Sequence, residues 1–191
     1  MHCPACKTAT FTPIELDLQL PAQQCSSCQG HWLVADDYFT WLDRQPTRLP
    51  EKPYEGEPLQ LSAEQTVKIC PTCIRIMHRY DVGHDTAVTL DQCAHCDGIW
   101  FDHDEWQALK GRNLHDEIHL VFTAPWQAQL RKTASIERLK QIYGARFGAD
   151  FARLQEIHAW LHTHPQKDDL LAFLSDPTPF EHHHSEALPR K

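Results

Sequence analysis

The chain lacks any apolar run approaching the roughly 18–20 residues that a bilayer-spanning helix requires. Its first residues, Met1-His2-Cys3-Pro4, lack the basic and apolar regions of an export signal. Both absences predict a cytoplasmic protein with no membrane partner. Positive charge is also short: 18 Lys and Arg stand against 26 Asp and Glu, a formal net charge of −8. The chain as a whole repels a polyanion or an anionic membrane, so any such contact must be local. What the 191 residues do contain is 41% hydrophobic side chains, enough for one or two compact domains, and eight cysteines.

The cysteines form four pairs, Cys3/Cys6, Cys25/Cys28, Cys70/Cys73 and Cys93/Cys96, each with two residues between its members. Sliding the chain on itself by 67 or 68 residues superposes them, so the chain holds an internal repeat. Cys3-Pro4-Ala5-Cys6 matches Cys70-Pro71-Thr72-Cys73, and Cys25 through Gly30-His31-Trp32 matches Cys93 through Gly98-Ile99-Trp100. Past each Trp, Asp36-Asp37-Tyr38 corresponds to Asp104-Glu105-Trp106. Spacers of 18 and 19 residues between pairs suit a four-Cys zinc site closed by one hairpin. Disulfides are disfavoured in a reducing compartment, and a dithiol redox centre would need a βαβ context that is missing. Iron in a rubredoxin-like site uses the same four thiolates and stays open.

Two zinc ions are therefore the expected cofactors, held by Cys3, Cys6, Cys25, Cys28 and by Cys70, Cys73, Cys93, Cys96. Their role is structural, because a unit of about 45 residues has too little core to fold without a staple. Four thiolates close the coordination sphere and leave no position for an activated water. Eight thiolates and two dications also take the formal charge from −8 to −12. Within the first spacer, Ile14 to Leu20 alternates apolar with polar, the pattern of a half-buried strand, and Thr86 to Leu90 holds the same place in the second. Gly30 and Gly98, two residues after the last ligand, are expected to take a positive φ where the chain leaves the metal.

On these residues the sequence resembles the bacterial zinc-ribbon family named for its likeness to the transcription factor IIB zinc finger. The likeness is closest from Cys70 through the second Cys pair to Gly98, Trp100, Asp102 and Glu105; the first repeat has Val34 and Asp37 in place of the last two. The resemblance implies zinc binding and interaction with proteins or nucleic acid, and it implies no catalytic activity.

The expected organisation is α+β: a first ribbon over 1–43, a Pro-rich linker over 44–67 and a second ribbon over 68–112. A helical module over 113–176 and a flexible tail over 177–191 follow. In the module, Leu139, Tyr143, Phe147, Phe151, Leu154, Ile157 and Leu161 recur at helical spacing, and Gly144 and Gly148 mark a break or a close contact. A further short helix is expected over Asp168–Leu174, whereas Leu120-Val121-Phe122-Thr123 reads as a strand.

The predicted role is a non-enzymatic adaptor that docks on another macromolecule, with protein the first choice because both ribbons are acidic. Trp41 and Trp106 are candidate anchors at such an interface, while Trp32 and Trp100 are assigned to packing over the metal knuckles. The alternative is nucleic-acid binding through Arg131, Arg138, Arg146 and Arg153, which would line one face of a continuous helix. A second alternative is a metallohydrolase built on His115 and His119, spaced like two ligands on a helix.

Overall fold

The computed structural model describes residues 2–7, 10–45, 50–53, 66–83 and 86–180. Most of the Pro-rich linker and residues 181–191 of the tail, including His182, His183 and His184, lie outside the described residues. The chain divides into two compact units, 1–133 and 134–191.

In the first unit each repeat builds three strands and a helix. The first gives β1 (Phe11–Asp17), β2 (Leu20–Cys25), β3 (His31–Leu33) and α1 (Ala35–Leu42). The second gives β4 (His78–Asp81), β5 (Thr89–Gln92), β6 (Ile99–Phe101) and α2 (Glu105–Gly111). The alternating run from Ile14 to Leu20 is thus not one strand: the hairpin turns at Leu18 and Gln19, with Gln19 at φ 61° and Leu18 exposed. Because the pattern continues on the return strand, alternation alone does not locate the turn.

All six strands form one antiparallel sheet in the order β1-β2-β3-β6-β5-β4. The repeats are joined in the middle, where Trp32 pairs with Trp100, His31 with Phe101 and Leu33 with Ile99. This register places an approximate dyad between the two tryptophans. The repeats are therefore halves of one sheet rather than two bodies on a linker.

The glycines explain why the halves fit. Neither Gly30 nor Gly98 has the positive φ expected of it. Instead, a Cβ on Gly30 would lie 2.3 Å from the Trp100 ring, and one on Gly98 would lie 2.4 Å from the Trp32 ring. Each tryptophan covers the glycine of the other repeat. Both indoles are fully buried, and they pack with Cys3, Cys25, Cys70, Cys93 and Met77 in a small cluster between the metal sites.

A larger core lies on the helical side, built from Leu20, Leu33, Tyr38, Trp41, Leu90, Phe101, Trp106 and Leu109 of both repeats. Trp106 Nε1 donates to the Leu16 carbonyl of the first repeat at 3.1 Å, and Lys110 pairs with Asp17 at 2.9 Å. Leu114, Ile118 and Val121 extend this core, and Leu120 and Val121 fall in a short helix, α3 (Ile118–Val121), rather than the expected strand. A single helical turn suffices there because only Ile118 and Val121, three residues apart, face the core.

The helix α4 (Ala124–Phe147) begins on the same unit: Trp126 Nε1 donates to the Val82 carbonyl at 3.0 Å and Gln127 Nε2 to that of Asp81 at 2.9 Å. Residues 113–133 therefore pack with the sheet, and the division falls inside α4 rather than at 113. After α4, residues 148–150 form a single 3₁₀ turn, with Gly148 at φ +53°. Helices α5 (Phe151–Thr163) and α6 (Lys167–Ser175) follow, so the apolar stripe is interrupted where the glycines indicated. Among the described residues no helix is long and apolar enough to cross a membrane.

Replacing either glycine tests the interlock. Gly98→Ala drives a methyl group into Trp32 and should cost about 1–3 kcal/mol by overpacking. Gly30→Ala should cost a similar amount, its Cβ also lying 2.9 Å from the Phe101 carbonyl oxygen. Denaturant titration should show each change lowering the stability of the whole six-stranded unit in one transition, not of one repeat alone.

Candidate metal centres

Four turns with one backbone geometry carry the cysteines. The residue after the second Cys of every pair, Lys7, Gln29, Ile74 or Asp97, is left-handed, with φ between 53° and 60°. Its N–H donates to the carbonyl of the first Cys at 2.8–3.0 Å. Such a turn brings both thiols of a pair to the same side, with backbone N–H groups aimed at the sulfur; Cys73 N–H lies 3.2 Å from Cys70 Sγ.

Two clusters result, Cys3, Cys6, Cys25, Cys28 and Cys70, Cys73, Cys93, Cys96, with the sulfurs of each within 4.8 Å of one another. Sulfurs at the corners of a tetrahedron with zinc bonds of about 2.3 Å lie about 3.8 Å apart. The observed separations are 3.5 Å for Cys3–Cys28, 3.4 Å for Cys6–Cys25 and 3.7 Å for Cys70–Cys96. The donor set is all soft thiolate and fits zinc. Burial pushes the thiols of Cys3 and Cys28 up and those of Cys70 and Cys96 to about 11, against backbone N–H groups that favour the thiolate. Metal uptake at these sites therefore releases protons.

Residues 2–44 and 69–112 both match the family described as transcription factor zinc-finger, the zinc ribbon of the transcription factor IIB type. The two matched segments, 87 of the 191 residues, are similar to two tandem zinc ribbons of this family, and each holds a Cys₄ site that fits structural zinc. No curated protein and no solved structure matches the chain.

The ribbons share a metal frame but not the chemistry around it. In the second, the buried Lys68 ammonium donates to Asp91 at 2.7 Å and to Asp102 at 2.9 Å. Asp102 also accepts the Trp100 indole N–H at 2.7 Å, and Arg79 reaches Asp91 at 3.3 Å. Burial alone would depress the Lys68 pKa, but the two carboxylates hold its charge and raise it. Glu105, also buried, caps this network by accepting the Asp102 N–H at 2.8 Å and the Thr89 N–H at 3.2 Å. In the first ribbon Val34 stands where Asp102 would, and the buried Trp32 Nε1 has no partner. The Val34/Asp102 and Asp37/Glu105 differences between the repeats are the sequence signal for this network; Lys68 precedes the repeat and carries none.

The other candidate residues are placed as follows. Trp41 and Trp106 are 2% and 1% exposed and meet each other at 6.2 Å between ring centroids. They are core, not interface anchors, because the shared sheet puts α1 and α2 side by side. Arg131, Arg138 and Arg146 are exposed on α4, while Arg153 is exposed on α5 beyond the 3₁₀ turn. The four do not lie on one continuous helix. His115 sits between the rings of Trp41 and Trp106, at 5.7 and 5.8 Å, and burial depresses its pKa. His119 Nδ1 meets the Tyr38 hydroxyl at 3.3 Å. Among the described residues no third metal ligand joins these two histidines.

Two outcomes follow from the unequal surroundings. Val34 is the residue before α1 and supplies no side-chain cap, so Val34→Asp adds a helix cap and an acceptor near Trp32. Thermal unfolding should show a gain of about 1 kcal/mol.

Burial first, then the Asp102 charge, pushes the Glu105 carboxyl up to about 8, against its two N–H donors. Glu105 therefore holds a proton in the folded chain where the unfolded chain has lost it. Its contribution is complete below about 4.5 and is lost as pH rises through about 8. Unfolding free energies measured across that window should fall with pH, and Glu105→Gln, neutral throughout, should flatten the slope.

Proposed function

We propose that the chain is a non-enzymatic docking protein whose second ribbon presents an aliphatic surface to a protein partner. The observation that carries this reading is Ile74. It is β-branched, 69% exposed and left-handed at φ 57°, a conformation that costs such a residue about 1–3 kcal/mol. The other three knuckles place Lys7, Gln29 and Asp97 at this position. Packing within the chain does not account for an isoleucine held there in water, and binding does.

Three neighbours support it. Val67, Ile69 and Ile76 are 67%, 39% and 62% exposed, and Ile69 bridges Ile76 across the hairpin. Beside them opens a cleft of about 450 Å³ whose lining includes Val67, Ile76 and Met77 together with Lys68, Arg79 and Asp91. An apolar rim over a floor whose charges are paired with one another suits an apolar side chain of a protein partner. The first ribbon has His2 and Lys7 where the second has Ile69 and Ile74, so it does not repeat the surface. The closed thiolate spheres leave the metals without an open coordination position, which favours a scaffold over a catalyst.

Nucleic acid is the second reading, favoured by the exposure of Arg131, Arg138 and Arg146 on α4. The acidic ribbons oppose it, and the arginines give it local positive charge only.

Ile74→Asn separates these readings, since asparagine tolerates the left-handed turn. The variant should gain about 0.5–1 kcal/mol in thermal unfolding while losing at least tenfold in affinity for the protein captured by the wild type from nuclease-treated lysate. Unchanged affinity, or capture that disappears with nuclease, would reject the proposal.

A further inference from the structure

Among the described residues five charged side chains are buried: Lys68, Asp91, Asp102, Glu105 and Asp116. The first four are bonded, Lys68 bridging the two aspartates and Glu105 accepting two backbone N–H groups. Asp116 is different. It is 6% exposed, its Oδ1 is closed to solvent and accepts no hydrogen bond, and no described residue forms an ion pair with its carboxylate. A buried carboxylate without a partner loses its hydration and gains nothing in return, so folding alone gives no reason for an Asp there.

Asp116 is not sealed in the core. With Leu42, Gln45 and His119 it lines a cavity of about 250 Å³, where the end of α1 meets the turn before α3. The wall is held by bonds between those elements. The Tyr38 hydroxyl donates to the His115 carbonyl at 3.3 Å and lies 3.3 Å from His119 Nδ1, which fixes the imidazole. Gln45 Nε2 donates to the Trp41 carbonyl at 3.1 Å, which leaves its Oε1 as an acceptor.

Charge, size and shape select the ligand. Water can fill the cavity but cannot neutralise the carboxylate. A metal ion is not suited, because no group of three His, Cys, Asp or Glu forms around Asp116 among the described residues. The volume is below the roughly 300–1,000 Å³ of a drug-sized ligand site, room for one small cation with a short apolar stem beside Leu42. Residues 1–133 carry 11 Lys and Arg against 18 Asp and Glu, so the surrounding field draws positive charge in. A guanidinium meets these terms better than an ammonium. It offers donors only, pairs with a carboxylate through two N–H groups, stacks flat on a ring and is the more weakly hydrated of the two.

We propose that this cavity binds a guanidinium group, with the Asp116 carboxylate as its counter-ion, Gln45 Oε1 as a further acceptor and the His119 ring against its flat face. The group can arrive as an arginine side chain of a protein or as a free small guanidine. The site shares no residue with the docking surface on the second ribbon, and its binding is independent of that surface.

Titrating the zinc-loaded full chain with methylguanidinium chloride should move the amide NMR signals of residues 42–45 and 115–119 with a millimolar Kd, the range open to so small a ligand. Methylurea, of nearly the same shape but uncharged, should leave them in place, a comparison that needs no variant to fold. Asp116→Asn keeps the size of the side chain and removes its charge; it should weaken methylguanidinium binding at least tenfold and raise the thermal midpoint. A capped Gly-Arg-Gly peptide that binds at least tenfold more tightly than methylguanidinium supports the proposal with a protein arginine as the source, whereas binding no tighter supports it with a free guanidine. Signals that stay in place with methylguanidinium, or move equally with methylurea, overturn the proposal and leave the cavity to water. Arg48, three residues beyond Gln45, lies outside the described residues. If Arg48→Gln and Asp116→Asn each lower the thermal midpoint and their effects do not add, the carboxylate is paired within the chain and the proposal also falls.

Discussion

A tryptophan from each ribbon lies on the glycine of the other, and the fold depends on that exchange. The zinc sites fix the knuckles locally, but neither ribbon buries a sheet alone. Pairing Trp32 with Trp100 at the dyad closes two three-stranded halves into one sheet. It also brings α1 and α2 together over a common core. Glycine is required at Gly30 and Gly98 because the facing indole occupies the space of a methyl group, so the Gly-x-Trp spacing encodes partnership between ribbons.

The metal frame is legible in the sequence because ligand spacing is local: two residues set a knuckle and about twenty set a hairpin. The helices of the second half are legible for the same reason, down to the break near Gly148. What escapes is non-local. A tryptophan packed on its own knuckle and one packed on its neighbour's have the same sequence signature, so the joint sheet does not show. Trp41 and Trp106 read as surface anchors because their burial comes from helices brought together by that sheet. His115 and His119 have metal-ligand spacing, yet the core takes His115 between two indoles and Tyr38 meets His119.

The second ribbon is the better built of the two, and its advantage is electrostatic. Lys68 bridges two buried carboxylates, Arg79 adds a second positive charge at Asp91, and Asp102 anchors the Trp100 indole, so every member of that chain of bonds has a partner. Networks of this kind are valuable only when complete, since one missing member leaves a buried charge uncompensated. The first ribbon does without the network and leaves an indole N–H unpaired. The ribbon with the completed network is also the one that holds a left-handed isoleucine exposed to water.

The approximate dyad at Trp32 and Trp100 has a consequence for stoichiometry. Two identical ribbons on separate chains would have to present identical faces, so a partner bound at one would be bound at both. Joined in one polypeptide, the halves keep the symmetric contact that holds them together while everything away from it is free to differ. The two-ribbon sheet thereby keeps a symmetric contact at its centre while its outer surfaces differ, with Ile69 and Ile74 on one ribbon where the other has His2 and Lys7.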